Sequence, residues 1–163
     1  MSNQTDGHHL TIVRRGDGEH FDVAGAKLTW KVKAEDTGRR FGFFEQVLFP
    51  GDAVPLHLHH YTETFYILAG TVIFFGEPGD KPVFRAEAGD VVVARPTGIH
   101  GFANQGEEEA RLLSISVPEH QLFFDTIAEA DREQPFAAMT PESAMLRVAE
   151  IGSRTDSVFL PRR

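Results

Sequence analysis

The chain of 163 residues contains no cysteine. That excludes a disulfide framework, a thiolate metal site and a cysteine nucleophile. Long apolar runs are missing too. The longest mostly apolar stretch, Tyr66 to Phe75, is broken by Gly70 and Thr71 and falls far short of the ~20 residues a membrane-spanning helix needs. Lysine occurs only at positions 27, 31, 33 and 81, and 16 basic against 24 acidic residues give a net charge of −8. Such a surface repels phosphate backbones and anionic lipid, so neither nucleic acid nor a membrane is expected as a partner. Met1 to Asp6 are polar, with no cationic segment leading into an apolar one, and the expectation is a cytoplasmic protein. No glycine-rich phosphate loop, serine nucleophile elbow, His-Glu-x-x-His helix or dinucleotide fingerprint is present, so hydride transfer and serine hydrolysis find no support.

What is present fits one domain with a single core. Residues 1–20 are polar and rich in Gly, Asp and His, and read as a flexible arm with at most a short strand at Leu10 to Arg14. From 21 to 117, short segments rich in Val, Ile, Phe and Thr are punctuated by Gly, Pro and Asp every eight to twelve residues, the pattern of an all-β sandwich or barrel. Strands are expected at 27–33, 40–49, 54–58, 63–69, 71–76, 81–86, 90–94, 100–104 and 110–117, with turns at Pro50-Gly51-Asp52, Ala69-Gly70, Pro78-Gly79-Asp80, Gly89-Asp90 and Asn104-Gln105-Gly106. Over 118–163 the period becomes helical. Leu122, Phe123, Thr126, Ile127 and Ala130 share one helix face, and a second helix starts at the N-cap Thr140 with Pro141 inside it and Gly152 just past its end. These helices are expected to pack on the barrel.

The chemistry concentrates at His57, His59 and Glu63. Side chains of a strand alternate faces, so His57 and His59 point the same way with about 7 Å between their Cα atoms, close enough for two imidazoles to meet on one ion. Glu63, four residues on, keeps that parity. A nitrogen and oxygen donor set without thiolate suits a single divalent transition metal ion: Fe, Mn, Ni, Cu or Zn.

The spacing around these residues is Gly51, five residues, His57, one, His59, three, Glu63, six, Gly70, which resembles the first signature of the cupin superfamily. Gly89, His100 and Asn104 stand at the spacing of the second signature, except that Arg95 occupies its proline position and Pro96-Thr97-Gly98 is displaced by one residue. The segments LTWKVKAEDTGRRFGFFE (28–45), ETFYILAG (63–70) and PEHQLFFDTIAE (118–129) extend the likeness to small single-domain cupins of the quercetin 2,3-dioxygenase-like group, over roughly residues 21–160. This resemblance implies a jelly-roll double-stranded β-helix with a C-terminal helical segment. It also implies His100 as fourth metal ligand beside His57, His59 and Glu63, and a homodimer. From quercetinase-like enzymes it carries to Glu63 the role of base toward a substrate hydroxyl, beside the plainer role of ligand only.

Phe65 and Ile67 share parity with Glu63, and Phe102 with His100, so these side chains and Phe43 on the preceding strand are candidates for an apolar substrate pocket, or for ordinary barrel core. Fourteen Phe with so few Lys point to an aromatic or polyketide-like substrate rather than a phosphosugar. Glu45 either orients a ligand histidine or faces solvent. His60 has the wrong parity for ligation, and His8, His9, His20 and His120 read as surface or tail residues; Arg95 and the run Glu107-Glu108-Glu109 read as solvated. Three functions compete: a metal-dependent dioxygenase of hydroxylated aromatics resembling quercetinase, a redox-neutral cyclase or isomerase, and a non-catalytic metal-containing binding protein.

Overall fold

The computed structural model describes residues 9–76 and 82–160. Its strands in chain order are β1 (Glu19–Val23), β2 (Ala26–Val32), β3 (Gly42–Leu48), β4 (Ala53–Leu58), β5 (Glu63–Ala69), β6 (Thr71–Phe75), β7 (Pro82–Glu87), β8 (Val91–Ala94), β9 (His100–Ala103) and β10 (Ala110–Ser116). Helices α1 (Pro118–Glu133) and α2 (Pro141–Arg154) and a two-residue strand β11 (Val158–Phe159) follow. The strands form two antiparallel sheets, one ordered β1-β2-β3-β10-β5-β8 and the other β11-β4-β9-β6-β7. This is the mostly-β architecture with two C-terminal helices that the alternation and the helical period indicate, and its two sheets form the jelly roll that the resemblance implies. Among the described residues no helix is long and apolar enough to cross a membrane.

Alternation builds the core. Phe44, Gln46 and Leu48 of β3, Leu112 and Ser114 of β10, and Phe65 and Ile67 of β5 all turn inward. Leu48, Phe65, Ile67 and Leu112 of the first sheet pack with Val72, Phe74 and Phe102 of the second. A second apolar cluster joins Phe21, Leu28, Trp30 and Phe44 to Phe123, Phe124, Ile127, Phe136 and Ile151, so the helical segment covers the barrel beside β1 to β3. Phe124 anchors it edge-to-face on Phe21, Trp30 and Phe44, with ring centroids 5.3, 6.0 and 5.3 Å away.

Several expectations shift. Residues 11–14 form no strand and Leu10 and Ile12 are exposed, while the first strand begins at Glu19 and buries Phe21. The turn at Pro78-Gly79-Asp80 and the strand start at Lys81 lie outside the described residues. The buried face of α1 is His120, Gln121, Phe123, Phe124 and Ile127, and Leu122 is exposed. Two contacts rotate the helix this way: the Phe124 cluster, and the Gln121 Oε1, which accepts the backbone N–H of Ala34 at 2.7 Å.

Helix α2 starts as expected, with Thr140 Oγ1 accepting the Ser143 N–H at 3.2 Å, yet it runs through Gly152 to Arg154. The chain doubles back against this glycine. Ser157 N–H donates to the Gly152 carbonyl at 2.9 Å, and a Cβ at 152 would lie 2.2 Å from the Ser157 oxygen. That return delivers β11 to β4, where Phe159 pairs with His57. Gly152→Ala should therefore cost about 1–3 kcal/mol, as overpacking against rigid backbone does. Chemical denaturation checks this, and unchanged stability would mean the return is loosely held.

Candidate metal centre

Strand β4 carries His57, the chain just beyond it carries His59, β5 opens with Glu63, and β9 opens with His100. Because β4 pairs with β9 with His57 opposite His100, three imidazoles and one carboxylate converge at one end of the barrel. Their rings lie 4.3 Å (His57 to His100), 4.8 Å (His59 to His100) and 5.7 Å (His57 to His59) apart. All four residues are buried. One candidate ligand atom from each lies within 4.8 Å of every other. Donors about 2.1 Å from a shared ion are at most about 4.2 Å apart, so modest closure brings all four to coordination distance.

Each histidine is oriented by a backbone carbonyl. Nδ1 of His57 faces the Pro55 oxygen at 2.9 Å, that of His59 the Tyr61 oxygen at 2.8 Å, and that of His100 the Gly98 oxygen at 2.9 Å. A carbonyl can only accept, so each Nδ1 carries the proton and each Nε2 presents a lone pair. Nε2 of His59 lies 3.2 Å and Nε2 of His100 3.5 Å from the same oxygen, Glu63 Oε2. The His100 Nε2 is buried without any hydrogen-bond partner. Lone pairs aimed at a carboxylate in a buried pocket repel unless positive charge sits among them. Protonation supplies it poorly: burial, followed by the charge of His100, pushes His57 down to about 3. A divalent cation meets the need, and this donor set fits one.

The other Glu63 oxygen is held by Ser114, whose hydroxyl donates to Oε1. His120 of α1 stands beside it, with Nδ1 3.7 Å from Oε1 and 2.7 Å from Ser116 Oγ. Burial works to raise the Glu63 carboxyl. The charge of His120 and the close approach of the His100 and His59 imidazoles outweigh burial and hold it well below the ordinary value. Burial lowers His120 in turn.

The backbone around the cluster is tied down. Tyr61 stacks on His59 with centroids 4.0 Å apart, and its hydroxyl meets Ser157 Oγ at 3.3 Å. Phe159 stacks on His57 at 5.4 Å. Thr97, at the place where the cupin signature has glycine, takes a left-handed φ of 63°. Its N–H donates to the His59 carbonyl at 2.7 Å. The displaced Pro96-Thr97-Gly98 turn thus retains a left-handed residue, at a steric cost of roughly 1–2 kcal/mol for a non-glycine.

A cavity of about 700 Å³ reaches His57 and Glu63 from the side of α1. Of the pocket candidates, Phe102 lines it. Phe65 packs beside His100 with centroids 6.1 Å apart, and Ile67 lies deeper in the core. Phe43 is a correction: β3 turns Phe44 and Gln46 inward, and Phe43 lies half-buried on the opposite face. Glu45 shares that outer face and pairs with Arg111 instead of a ligand histidine. His60 is exposed and contacts Asp156 at 2.5 Å. His9, His20 and Arg95 are exposed, and His8 lies outside the described residues. The second correction is His120, read as a surface residue and found buried in the site. It sits directly before the helical apolar face, three residues ahead of Phe123 and four ahead of Phe124, which was the one available signal.

Residues 44–116 match the family model of the cupin domain. No curated protein matches the chain. Among solved structures it is similar to the polyketide cyclase RemF from Streptomyces resistomycificus, at 19% identity and a TM-score of 0.59 over 67% of this chain and 80% of that one. It also resembles a predicted oxalate decarboxylase from Thermotoga maritima, at 25% identity and a TM-score of 0.57 over 65% and 97%. An RmlC-like cupin from Shewanella frigidimarina shares 16% identity and a TM-score of 0.53 over 65% and 89%.

Two outcomes follow from the geometry. Losing partners that merely orient ligands costs metal affinity about 10- to 100-fold, so His59→Ala should lose at least that much while the barrel stays folded. Elemental analysis after dialysis against dilute metal checks it, and equal metal content in both proteins would contradict the assignment. The second outcome concerns pH. In the unfolded chain these imidazoles titrate near ~6.5, whereas the fold holds His57 and His120 lower, so stability falls as pH drops below that value. Glu63 contributes stability above its unfolded pKa that is lost as pH falls through its depressed folded value. All three act in one direction. The melting temperature of the metal-free protein should decline from about pH 7 to about pH 4, and a flat profile would contradict burial of neutral imidazoles.

Proposed function

This chain is a small member of the cupin superfamily, and from that premise we propose that it is a metal-dependent dioxygenase acting on a neutral, hydroxylated aromatic or polyketide-like molecule. The observation that carries the reading is the opening of the buried three-histidine, one-carboxylate cluster into an aromatic-walled cavity. Phe44, Phe102, Phe123, Phe124 and Phe159 form its walls, and among the described residues no Lys or Arg lines it. A flat apolar ring system suits such walls, whereas a small dianion of the kind implied by the oxalate decarboxylase neighbour would lack cationic side chains to meet it.

His57, His59, His100 and Glu63 would hold a divalent ion, which would supply Lewis acidity toward a substrate hydroxyl and, in a redox-active form, access to oxygen chemistry. The protein's own part is proton handling and exclusion of water. Glu63 accepts the hydroxyl proton on its Oε1 side, where Ser114 fixes the carboxylate and His120 stands 3.7 Å away. Its depressed basicity makes it an acceptor only for a hydroxyl that is already acidified. The aromatic walls hold the ring plane and keep solvent from the ionised oxygen.

His120 favours a second reading. A buried imidazole beside the carboxylate, bonded to Ser116, gives the site two proton-transfer groups, which also serves a redox-neutral cyclisation or isomerisation. A homodimer belongs to the same proposal, formed through the outer face of the first sheet, where Tyr66, Val91, Val93 and Ile115 are exposed on neighbouring strands.

With Fe-, Ni- or Mn-loaded protein and flavonols, substrate loss should track oxygen uptake. Loss of substrate without oxygen would favour the redox-neutral reading, and no loss of any kind a binding protein. Glu63→Gln keeps an oxygen donor but removes basicity, so turnover normalised to bound metal should fall about 10²- to 10⁴-fold. A change within a few-fold would remove Glu63 from the base role.

A further inference from the structure

Among the described residues, every buried polar side chain but one makes at least one side-chain hydrogen bond, although Nε2 of His100 is left free. Asn104 donates to the Leu48 and Glu108 carbonyls. Gln121, Ser114, Ser116, Thr155, Ser157 and the buried histidines each make a side-chain hydrogen bond. Gln46 is 6% exposed, and among the described residues its side-chain amide makes none. It sits on the inner face of β3 between Phe44 and Leu48, and it lines the same cavity as His57 and Glu63. Its amide is not sealed in the core, since among the described residues the one buried side-chain atom without a partner is His100 Nε2, so the amide is open to a ligand in the cavity. The cavity is where the missing partner belongs.

The strand register gives its distance from the metal centre. Gln46 pairs with Leu112, which pairs with Ile67. Glu63 is four residues from Ile67 on β5, so Gln46 lies about 13 Å further along the strands from the carboxylate, on a strand two places across. Two strand spacings of about 4.8 Å across the sheet put the two Cα atoms about 16 Å apart, and the two side chains reaching toward each other leave a span that a linked three-ring skeleton can bridge. The walls between them are aromatic, and among the described residues they carry no Lys or Arg.

We infer that Gln46 is a specificity-determining residue that hydrogen-bonds a neutral hydroxyl or carbonyl at the far end of an elongated aromatic ligand whose near hydroxyl sits at the metal cluster. This rests on the substrate class given under Proposed function and deepens it: the ligand carries polar groups at both ends. The amide can donate and accept, so it recognises either group but gives no advantage to an anion over a neutral ligand. A ligand lacking the far group leaves the amide unpaired and binds more weakly.

The test uses zinc-loaded protein, which does not consume the probes, and calorimetric binding of 3-hydroxyflavone, 3,4′-dihydroxyflavone and 3,7-dihydroxyflavone. Wild type should bind at least one dihydroxylated probe about tenfold more tightly than 3-hydroxyflavone, as one added neutral hydrogen bond allows. In Gln46→Leu that preference should shrink to within about twofold, while affinity for 3-hydroxyflavone holds or improves. Without ligand, Gln46→Leu should melt close to or above wild type, because the amide makes no hydrogen bond within the described fold and an apolar side chain of similar size replaces it. Wild-type preference that survives in Gln46→Leu overturns this inference alone, as does a lower melting temperature of the variant, which would mean the amide is paired within the fold. Failure of the wild type to bind any of the three flavones overturns the inference together with the substrate class beneath it.

Discussion

Three imidazole lone pairs and a carboxylate are forced together in a buried place, and much of the architecture is organised around making that tolerable. The carbonyls of Pro55, Tyr61 and Gly98 choose the tautomers and so aim Nε2 inward. Those carbonyls belong to β4 and to the turns that follow it and precede β9, so the backbone course itself dictates the electrostatics of the centre. Ser114 and His120 take up the second carboxylate oxygen and leave the first for the shared contact. The arrangement is costly without a cation and coherent with one.

The C-terminal segment completes the site as well as covering it. Helix α1 brings His120 and two cavity-wall phenylalanines. The return at Gly152 brings Phe159 onto His57 and Ser157 onto the Tyr61 hydroxyl. Residues from both sheets and from the helical segment thus meet in one cavity, which is why the matched cupin domain, 44–116, contains the ligands but not the lid. Substrate preference is expected to reside largely in that lid and in inward residues of β3, where cupins with the same ligand set are free to differ.

How much of this was legible in the sequence depends on whether each feature is local. His57, His59 and Glu63 share a face by strand parity alone, a rule with period two that needs no tertiary knowledge. His100 comes from a strand paired across the sheet, and only the resemblance to the second cupin signature reached it. Parity failed at Phe43 and Phe44, because adjacent phenylalanines satisfy either phase and a one-residue slip exchanges the faces. Gly42, Phe44, Gln46 and Leu48 are the buried set, and with it Gln46 enters the cavity. In α1 the periodicity pointed to Leu122, whereas packing of Phe124 among Phe21, Trp30 and Phe44 rotated the helix and buried His120. Tertiary aromatic packing overrode a helical pattern that tolerated two neighbouring faces.

The central claim is that four named side chains hold one divalent ion. X-ray absorption at the edge of the bound metal tests it most directly, because imidazole rings add a distinctive outer-shell scattering to the light-atom ligand shell. The expected result is one ion per chain with nitrogen and oxygen donors near 2.0–2.2 Å and the outer scattering of three imidazoles. An ion bound without imidazole scattering, or no stoichiometric metal after loading at neutral pH, would contradict it.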